Sequence, residues 1–519
     1  MRATNTNHIY STFAPYIMKH AKPYVLTAIA STLFALAGCA PRSLVPDQPS
    51  NAPDYFSTWN IQGYVVNYDG AATSPTMDEA HMFGDGELEG WTNFFPKFRE
   101  DLYFLMDDSW DVSPGPHSGN GQQMGEARLD EQRFPSCTGE PTERLRALVD
   151  KVKKAGWKGL GGWICAQESS AAPDCGSPRD YWAARLKESY DAGVAYWKVD
   201  YGRQERNIEW RQLLTDLGRQ HAPGIIIEHS YTNPIIETSD AFRTYDVEVI
   251  TAVPVTIQRV ANLLPLAHQE GSLGLINCED EPYIAAGLGC AIGVMRHPLN
   301  GALPNGLSDH VFPATGRDVK SRMDEVNRLL KWHRIAEPFG VSNDASIDDH
   351  KLADWWVLAE RETWVPSRHQ GDTIVERAPA RISRNLPLPI VTSDDAEPPY
   401  VMVSQYPNGA VAVATVERVL DRQWYTPQAD ISITLPDLKR PIGIFGEYRQ
   451  LIIETTSTIP TKAHVWAQDL IGKKPIDITS QVTMEQHRLI IPGEVINHVG
   501  LMAATPDDKS APGLVIRVK

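Results

Sequence analysis

Between residues 58 and 300, short apolar runs alternate with stretches whose apolar residues recur every three or four positions. That alternation is the mark of strand–helix units. Runs at 58–66, 102–106, 159–164, 194–200, 224–229, 242–247, 272–276 and 291–295 predict eight strands. Helical patterns at 142–155, 179–192, 205–220, 254–267 and 317–336 fall between and after them. In the first of these, Leu145, Leu148, Val149 and Val152 keep a 3.6-residue period, and Pro141 marks its first turn. The order predicts an α/β fold, a (β/α)8 TIM barrel over residues 56–340. After Phe339-Gly340 the texture changes. Val401-Met-Val-Ser, Ala410-Val-Ala-Val-Ala-Thr and Ile431-Ser-Ile-Thr-Leu alternate β-branched and small residues between Pro, Asn, Asp and Gly breaks. Residues 341–519 are therefore expected to form a C-terminal all-β sandwich of Greek-key type.

The N-terminus reads as a targeting segment rather than as fold. Arg2, Lys19 and Lys22 precede an apolar run at 24–37 that is short and rich in small residues for a membrane span. It ends in Leu36-Ala37-Gly38-Cys39, which resembles a bacterial lipobox. The resemblance implies a signal peptide over 1–39, cleavage before Cys39 and acylation of its thiol; a plain secretory signal is the alternative. Residues 40–55 would then be a tether. The expected location is the cell envelope, with the membrane reached through the lipid anchor. Ala40, in place of an Asp, favours the outer membrane.

Composition narrows the chemistry. A formal charge of −16 argues against nucleic acid, whose phosphates need clustered Lys and Arg. Fourteen Trp and eighteen Tyr supply rings that fill cores or pack on sugars. Cys137, Cys165, Cys175, Cys278 and Cys290 are odd in number once Cys39 is set aside, and Cys165 and Cys175 flank a loop across which they could pair. There is no CxxC, HxH or HExxH spacing, so no metal or organic cofactor is expected.

Candidate chemistry collects at the predicted C-terminal ends of strands, where barrel active sites form. Lys198 and Asp200 lie two apart and share a strand face. Lys198 reads as an ion pair that holds Asp200 charged, or as an imine-forming lysine. Leu105-Met-Asp-Asp-Ser-Trp-Asp111 ends the second strand; Asp107 and Asp108 suit hydrogen bonding to vicinal sugar hydroxyls, with Trp110 as a stacking surface. Ile227-Glu-His-Ser-Tyr231 follows the fifth strand, and Phe242-Arg-Thr-Tyr-Asp-Val-Glu248 stands at the sixth. Asp200 and Asp246, one strand apart, permit the spacing of about 5–5.5 Å that a retaining glycosidase needs between its two carboxyl groups. Glu248 and Glu228 are the alternative acid/base groups.

Met106-Asp-Asp-Ser-Trp110 is similar to the Leu-Asp-Asp-Gly-Trp of glycoside hydrolase clan D, the α-galactosidase-like families 27 and 36. Trp197-Lys-Val-Asp200 is similar to that group's Leu-Lys-Tyr-Asp, and Phe242-Arg-Thr-Tyr-Asp246 to its Trp-Arg-Thr-Thr-Gly-Asp. The resemblance implies a retaining exo-glycosidase acting on α-galactosides or related terminal sugars of an oligosaccharide or glycoconjugate. It implies Asp200 as nucleophile and Asp246 as general acid/base. Asp107 and Asp108 would hold O4 and O6 of the sugar, Lys198 a ring hydroxyl, Arg243 the 2-position, and Trp163 would line the pocket. The chain departs from the pattern at Ser109, at Tyr201-Gly202, at Glu228-His-Ser-Tyr231, and in having Arg243 three rather than four residues before Asp246. A non-catalytic glycan-binding lipoprotein on the same scaffold is the competing reading.

Overall fold

Eight short parallel strands pair in the order β7-β6-β5-β4-β3-β2-β1-β8. They are β1 (Tyr55–Ser57), β2 (Tyr103–Met106), β3 (Gly159–Ile164), β4 (Tyr196–Val199), β5 (Ile226–His229), β6 (Ala241–Arg243), β7 (Leu275–Asn277) and β8 (Gly293–Val294). The seam between β7 and β8 is closed by backbone bonds just past β7: Cys278 N–H donates to the Ala291 carbonyl at 3.1 Å and Asp280 N–H to that of Gly293 at 3.0 Å. The chain is thus a (β/α)8 barrel with additional all-β sheets. This computed structural model describes residues 42–62, 74–87, 89–115, 123–170, 176–230, 235–236, 239–244, 252–266, 275–298, 320–340, 345–358, 369–394, 397–421 and 423–519. Cys39, Cys175, Asp246 and Glu248 lie outside the described residues.

Strand alternation sorts the side chains. Phe56, Phe104, Leu160, Trp197, Ile227, Phe242 and Ile276 belong to the large core that includes the surrounding helices. Tyr55, Leu105, Trp163 and Tyr196, of the opposite parity, form a separate cluster in the barrel interior. Five of the helices are α1 (Pro141–Lys154), α2 (Pro178–Ala192), α3 (Ile208–His221), α4 (Ala252–Leu263) and α5 (Pro282–Leu288), and the last of the barrel is α6 (Met323–His333). Helix α2 shows why such segments start and stop where they do. Ser177 Oγ accepts from the Asp180 N–H at 3.2 Å, Pro178 fills the first turn, and Gly193 ends the helix at φ +87°.

The first strand lies earlier than the pattern predicts. Thr58 N–H still bonds the Leu105 carbonyl at 3.2 Å, but the Gln62 N–H bonds Thr58 O at 2.9 Å, so a helical turn begins where a strand was expected. The apolar run at 58–66 hid the true strand, whose Ser57 is polar because it faces the site.

The C-terminal region is a sandwich with a smaller four-stranded sheet beside it. Its core places Val401, Val403, Val413, Ile444 and Ile516 of an eight-stranded sheet with Ile431, Ile433, Leu451, Ile453 and Leu489 of a five-stranded one. A purely antiparallel Greek key is not what forms. Arg381–Arg384 pairs with Tyr400–Gln405 in parallel, as do Val411–Val416 with Ile442–Phe445 and Asp430–Leu435 with Gln450–Thr455. In each case the chain visits another sheet between the two strands, so it returns in the same direction.

Residues 43–519 form a single compact unit. Part of the expected tether is packed into it: Leu44 N–H donates to Gln468 Oε1 at 2.7 Å, Val45 is buried, and the Asp47 carbonyl accepts from Arg334 Nη1 at 2.6 Å. Helix α5 lies on the sandwich, where Ser404 Oγ and Tyr406 Oη donate to the Gly287 and Ala286 carbonyls, each at 2.7 Å. Arg328 of α6 forms a two-pronged pair with Asp469, Nε to Oδ1 at 3.1 Å and Nη2 to Oδ2 at 3.2 Å, both groups buried. Asp469→Ala would strand that guanidinium. It is expected to cost about 3–5 kcal/mol of stability, read as a lower midpoint in urea unfolding with the barrel and sandwich melting together.

Candidate active site

The strand register puts the singled-out residues on the inner face at the C-terminal end of the barrel. Trp163 of β3, Lys198 of β4 and Glu228 of β5 are level with one another, and Asp200 follows β4 two residues later. Asp107, Asp108, Trp110, Trp163, Lys198, Asp200, Glu228 and Arg243 are all buried.

Asp200 is held by one cation and two hydrogen-bond donors. Arg243 Nη2 lies 2.9 Å from Oδ2, Trp163 Nε1 donates to the same oxygen at 3.1 Å, and Ser230 Oγ donates to Oδ1 at 3.2 Å. Its backbone is held as well: the Asp200 N–H donates to the Ile164 carbonyl at 3.0 Å and Arg211 Nη2 donates to the Asp200 carbonyl at 2.7 Å. Lys198 does not pair with Asp200 as its place two residues earlier suggested. Its Nζ reaches Asp107 Oδ2 at 2.8 Å, in a buried ion pair that crosses β3. Ser57 Oγ donates to the same oxygen at 2.8 Å. Below this pair, Gly161 of β3 leaves room for Tyr196: a Cβ there would stand 2.9 Å from that of Tyr196. The cation at Asp200 is Arg243, brought in from β6. A lysine held charged by a buried carboxylate is a poor imine-former, which disfavours the aldolase-like alternative.

Asp108 accepts from Ser109 Oγ at 2.7 Å. Ser109 sits at φ +77°, a left-handed conformation that suits glycine. Trp110 is not a stacking platform. Its ring is buried against Gly162, where an added Cβ would lie 3.0 Å from it, and its N–H donates to the Trp163 carbonyl at 2.8 Å. The empty position on β3 lets the indole drop into the wall. Its effect is to fix Trp163, whose own N–H points at Asp200. Tyr201 sits beside Trp163 with ring centroids 5.5 Å apart and is partly exposed.

Arg243 gathers more than Asp200. Its Nη1 lies 3.1 Å from Glu279 Oε1 and its Nε 3.5 Å from Glu228 Oε1. Glu279 lies two residues past β7, in the acidic stretch Asn277-Cys-Glu-Asp-Glu-Pro282, so that stretch anchors the arginine. Glu228 also accepts from Tyr55 Oη at 3.2 Å and is bonded to Tyr196 Oη, while Asn277 Nδ2 donates to Tyr55 Oη at 2.9 Å. Burial pushes the Glu228 carboxyl up, against the lowering effect of Arg243, Tyr196, Lys198 and Asn277. Both tyrosines are pushed well up, first by burial and then by Glu228, and stay phenols.

Ser57, Ser230, Tyr55 and Tyr196 carry much of this geometry without having been singled out. Parity held the signal for two of them: Ser230 lies two residues past Glu228, and Tyr196 two before Lys198. Asp246 and Glu248 follow Arg243 outside the described residues, so the expected spacing of Asp200 and Asp246 has no measured value.

Two neighbours make local predictions. Gly202 adopts φ +148° with an added Cβ only 2.8 Å from the Ala166 backbone. Gly202→Ala is therefore expected to cost about 1–3 kcal/mol and to displace Asp200, lowering both the melting temperature and activity. Asp111 is fully buried and its pKa is pushed up to about 7 by burial, while its Oδ2 accepts from the Gly125 and Ala127 N–H groups at 3.2 and 2.9 Å. A raised carboxyl stabilises the fold at low pH, where it is neutral. That contribution is lost as pH climbs from about 4, its unfolded value, to about 7. Asp111→Asn keeps the acceptor and should flatten this decline, being more stable than the parent at pH 8 by urea unfolding.

No protein-family profile matches this chain, and no curated protein matches it. Among solved structures it is similar to a variant of a family 27 β-L-arabinopyranosidase from Geobacillus stearothermophilus bound to arabinose, at 11% identity, covering 90% of this chain and 96% of that one with a TM-score of 0.37. It is also similar to a Bacillus halodurans protein assigned as an α-N-acetylgalactosaminidase (9% identity, 93% and 99% covered, TM-score 0.39). A Bacteroides fragilis protein assigned as an α-galactosidase/melibiase follows (11% identity, 80% and 71% covered, TM-score 0.34). Likenesses this remote leave the chemistry to be read from the chain's own side chains.

Proposed function

We propose that the chain is a retaining exo-glycoside hydrolase acting on α-galactosides or closely related terminal sugars. The observation that carries this reading is Asp200 at the mouth of the barrel, gripped by Arg243, Trp163 and Ser230 and flanked by the Lys198–Asp107 pair. A carboxylate so held is fixed in direction, as a nucleophile must be. Oδ2 accepts from Trp163 and stands against the Arg243 cation, so Oδ1, held by a neutral hydroxyl, is the attacking oxygen in this reading. It forms a glycosyl ester at the anomeric carbon while the bond to the leaving oxygen breaks and that oxygen takes a proton from Asp246. Asp246 then removes a proton from water, which releases the sugar with retention. Asp107, Asp108 and Lys198 meet the sugar hydroxyls, and Trp163 lines the pocket. No metal or organic cofactor enters these steps.

A panel of nitrophenyl glycosides, with the released anomer followed by NMR, tests the reading. Hydrolysis of an α-galactoside, α-N-acetylgalactosaminide or β-L-arabinopyranoside with retention is expected. Binding of these sugars without turnover would instead favour a glycan-binding protein. The Leu36-Ala37-Gly38-Cys39 motif supports anchorage by acylation at Cys39. Cys39→Ala should release the protein from the membrane fraction.

A further inference from the structure

The interior contacts place Asp107, Asp200, Glu228 and Glu279 against Lys198 and Arg243. Among the described residues, four carboxyl groups thus face two buried cations, an excess of negative charge. Buried charge without compensation is costly, and protonating one carboxyl relieves it. Asp107 has Lys198 at 2.8 Å. Asp200 and Glu279 have Arg243 nitrogens at 2.9 and 3.1 Å. Glu228 has the longest contact, 3.5 Å to Nε. It is also among the most buried, its side chain 1% exposed against 10% for that of Asp200. Two phenol hydroxyls, Tyr55 from β1 and Tyr196 from β4, complete its surroundings, with Asn277 from β7 beside them. A carboxylic O–H can donate to a phenol oxygen and accept from another phenol, so the neutral form fits this cage.

We propose that Glu228 rests as a neutral carboxylic acid and serves as a positioning residue, leaving Arg243 to Asp200. It does not meet the sugar as an anion. When it ionises it competes with Asp200 for the guanidinium and loosens the nucleophile. The groups that set this balance are Arg243 on β6, Lys198 and Tyr196 on β4, Tyr55 on β1, and Asn277 and Glu279 at the end of β7. The upward push of burial on Glu228 agrees with the proposal.

Two measurements test it, one of which does not depend on the glycosidase reading. In the infrared difference spectrum of wild type minus Glu228→Gln at neutral pH, a protonated-carboxyl carbonyl band assigned to Glu228 is expected. A carboxylate pair of bands in its place overturns the proposal whatever the enzyme's substrate. The kinetic arm rests on Asp200 as nucleophile. Glu228→Gln, which removes the ionisable group, should move the alkaline fall of kcat to higher pH, with KM little changed. A loss beyond about 100-fold in folded protein, or an alkaline limb that does not move, overturns it. Glu228→Met, a neutral side chain of similar length, takes the place of the glutamine variant if that one does not fold. An absence of any glycoside turnover in the parent would sink the proposed function while leaving the infrared result to decide the charge state.

Discussion

Asp200→Asn is expected to lower kcat by at least about 1,000-fold, or roughly 4 kcal/mol in the barrier, with the fold intact. The amide keeps the shape of the carboxylate: its oxygen can still accept from Trp163, and its NH2, at the other position, can donate to the Ser230 hydroxyl. It cannot form the glycosyl ester. The smaller Asp200→Gly should recover part of its turnover with azide, giving a glycosyl azide whose anomeric configuration is inverted relative to the substrate. Near-normal turnover in Asp200→Asn, on the substrate the parent cleaves, would remove Asp200 from the mechanism.

Arg243→Leu should be nearly as damaging and for a different reason. The guanidinium is fully buried and stands against Asp200, Glu228 and Glu279 at once. Its loss leaves three carboxyl groups without their shared cation. Removing one partner of a buried ion pair costs about 3–5 kcal/mol, so a large fall in melting temperature is expected at neutral pH. The deficit should shrink as the pH is lowered, because protonation of the carboxyls replaces the missing charge. Denaturation at pH 5 and pH 8 separates the two cases; an Arg243→Leu deficit equal at both would mean that the charge is not what Arg243 supplies. Activity should fall steeply as well, through the loosened Asp200.

Much of the barrel was legible because its outward-facing residues, such as Phe104, Trp197 and Ile227, repeat with the period of buried strands. The first strand was misplaced because the apolar residues after Ser57 belong to a helical turn, and a short apolar run does not distinguish the two. In the sandwich, alternation revealed the strands but not their directions. Those depend on which sheet the chain visits in between, a long-range property.

The site shows the same division. Lys198 and Asp200 lie on one face, as their spacing requires, yet their partners come from other strands. Lys198 goes to Asp107 and Asp200 to Arg243. Spacing along one strand fixes direction; it does not say which neighbour is nearest once the sheet curves into a barrel. Trp110 fell short for a related reason, since the slot left by Gly162 on the next strand decides where its ring goes. Glu228 was legible as a site residue by position, but its cage of Tyr55, Tyr196 and Arg243 assembles from three strands far apart in sequence.

The central claim is that Asp200 forms a covalent bond to the sugar. A fluorinated glycosyl donor with a good leaving group, which reacts faster than its glycosyl ester is hydrolysed, tests that bond directly by peptide mass mapping. The expected result is a single fluoroglycosyl adduct on the peptide containing Trp197-Lys-Val-Asp200, located at Asp200. An adduct on another carboxylate, or steady hydrolysis with inversion and no adduct, would contradict it.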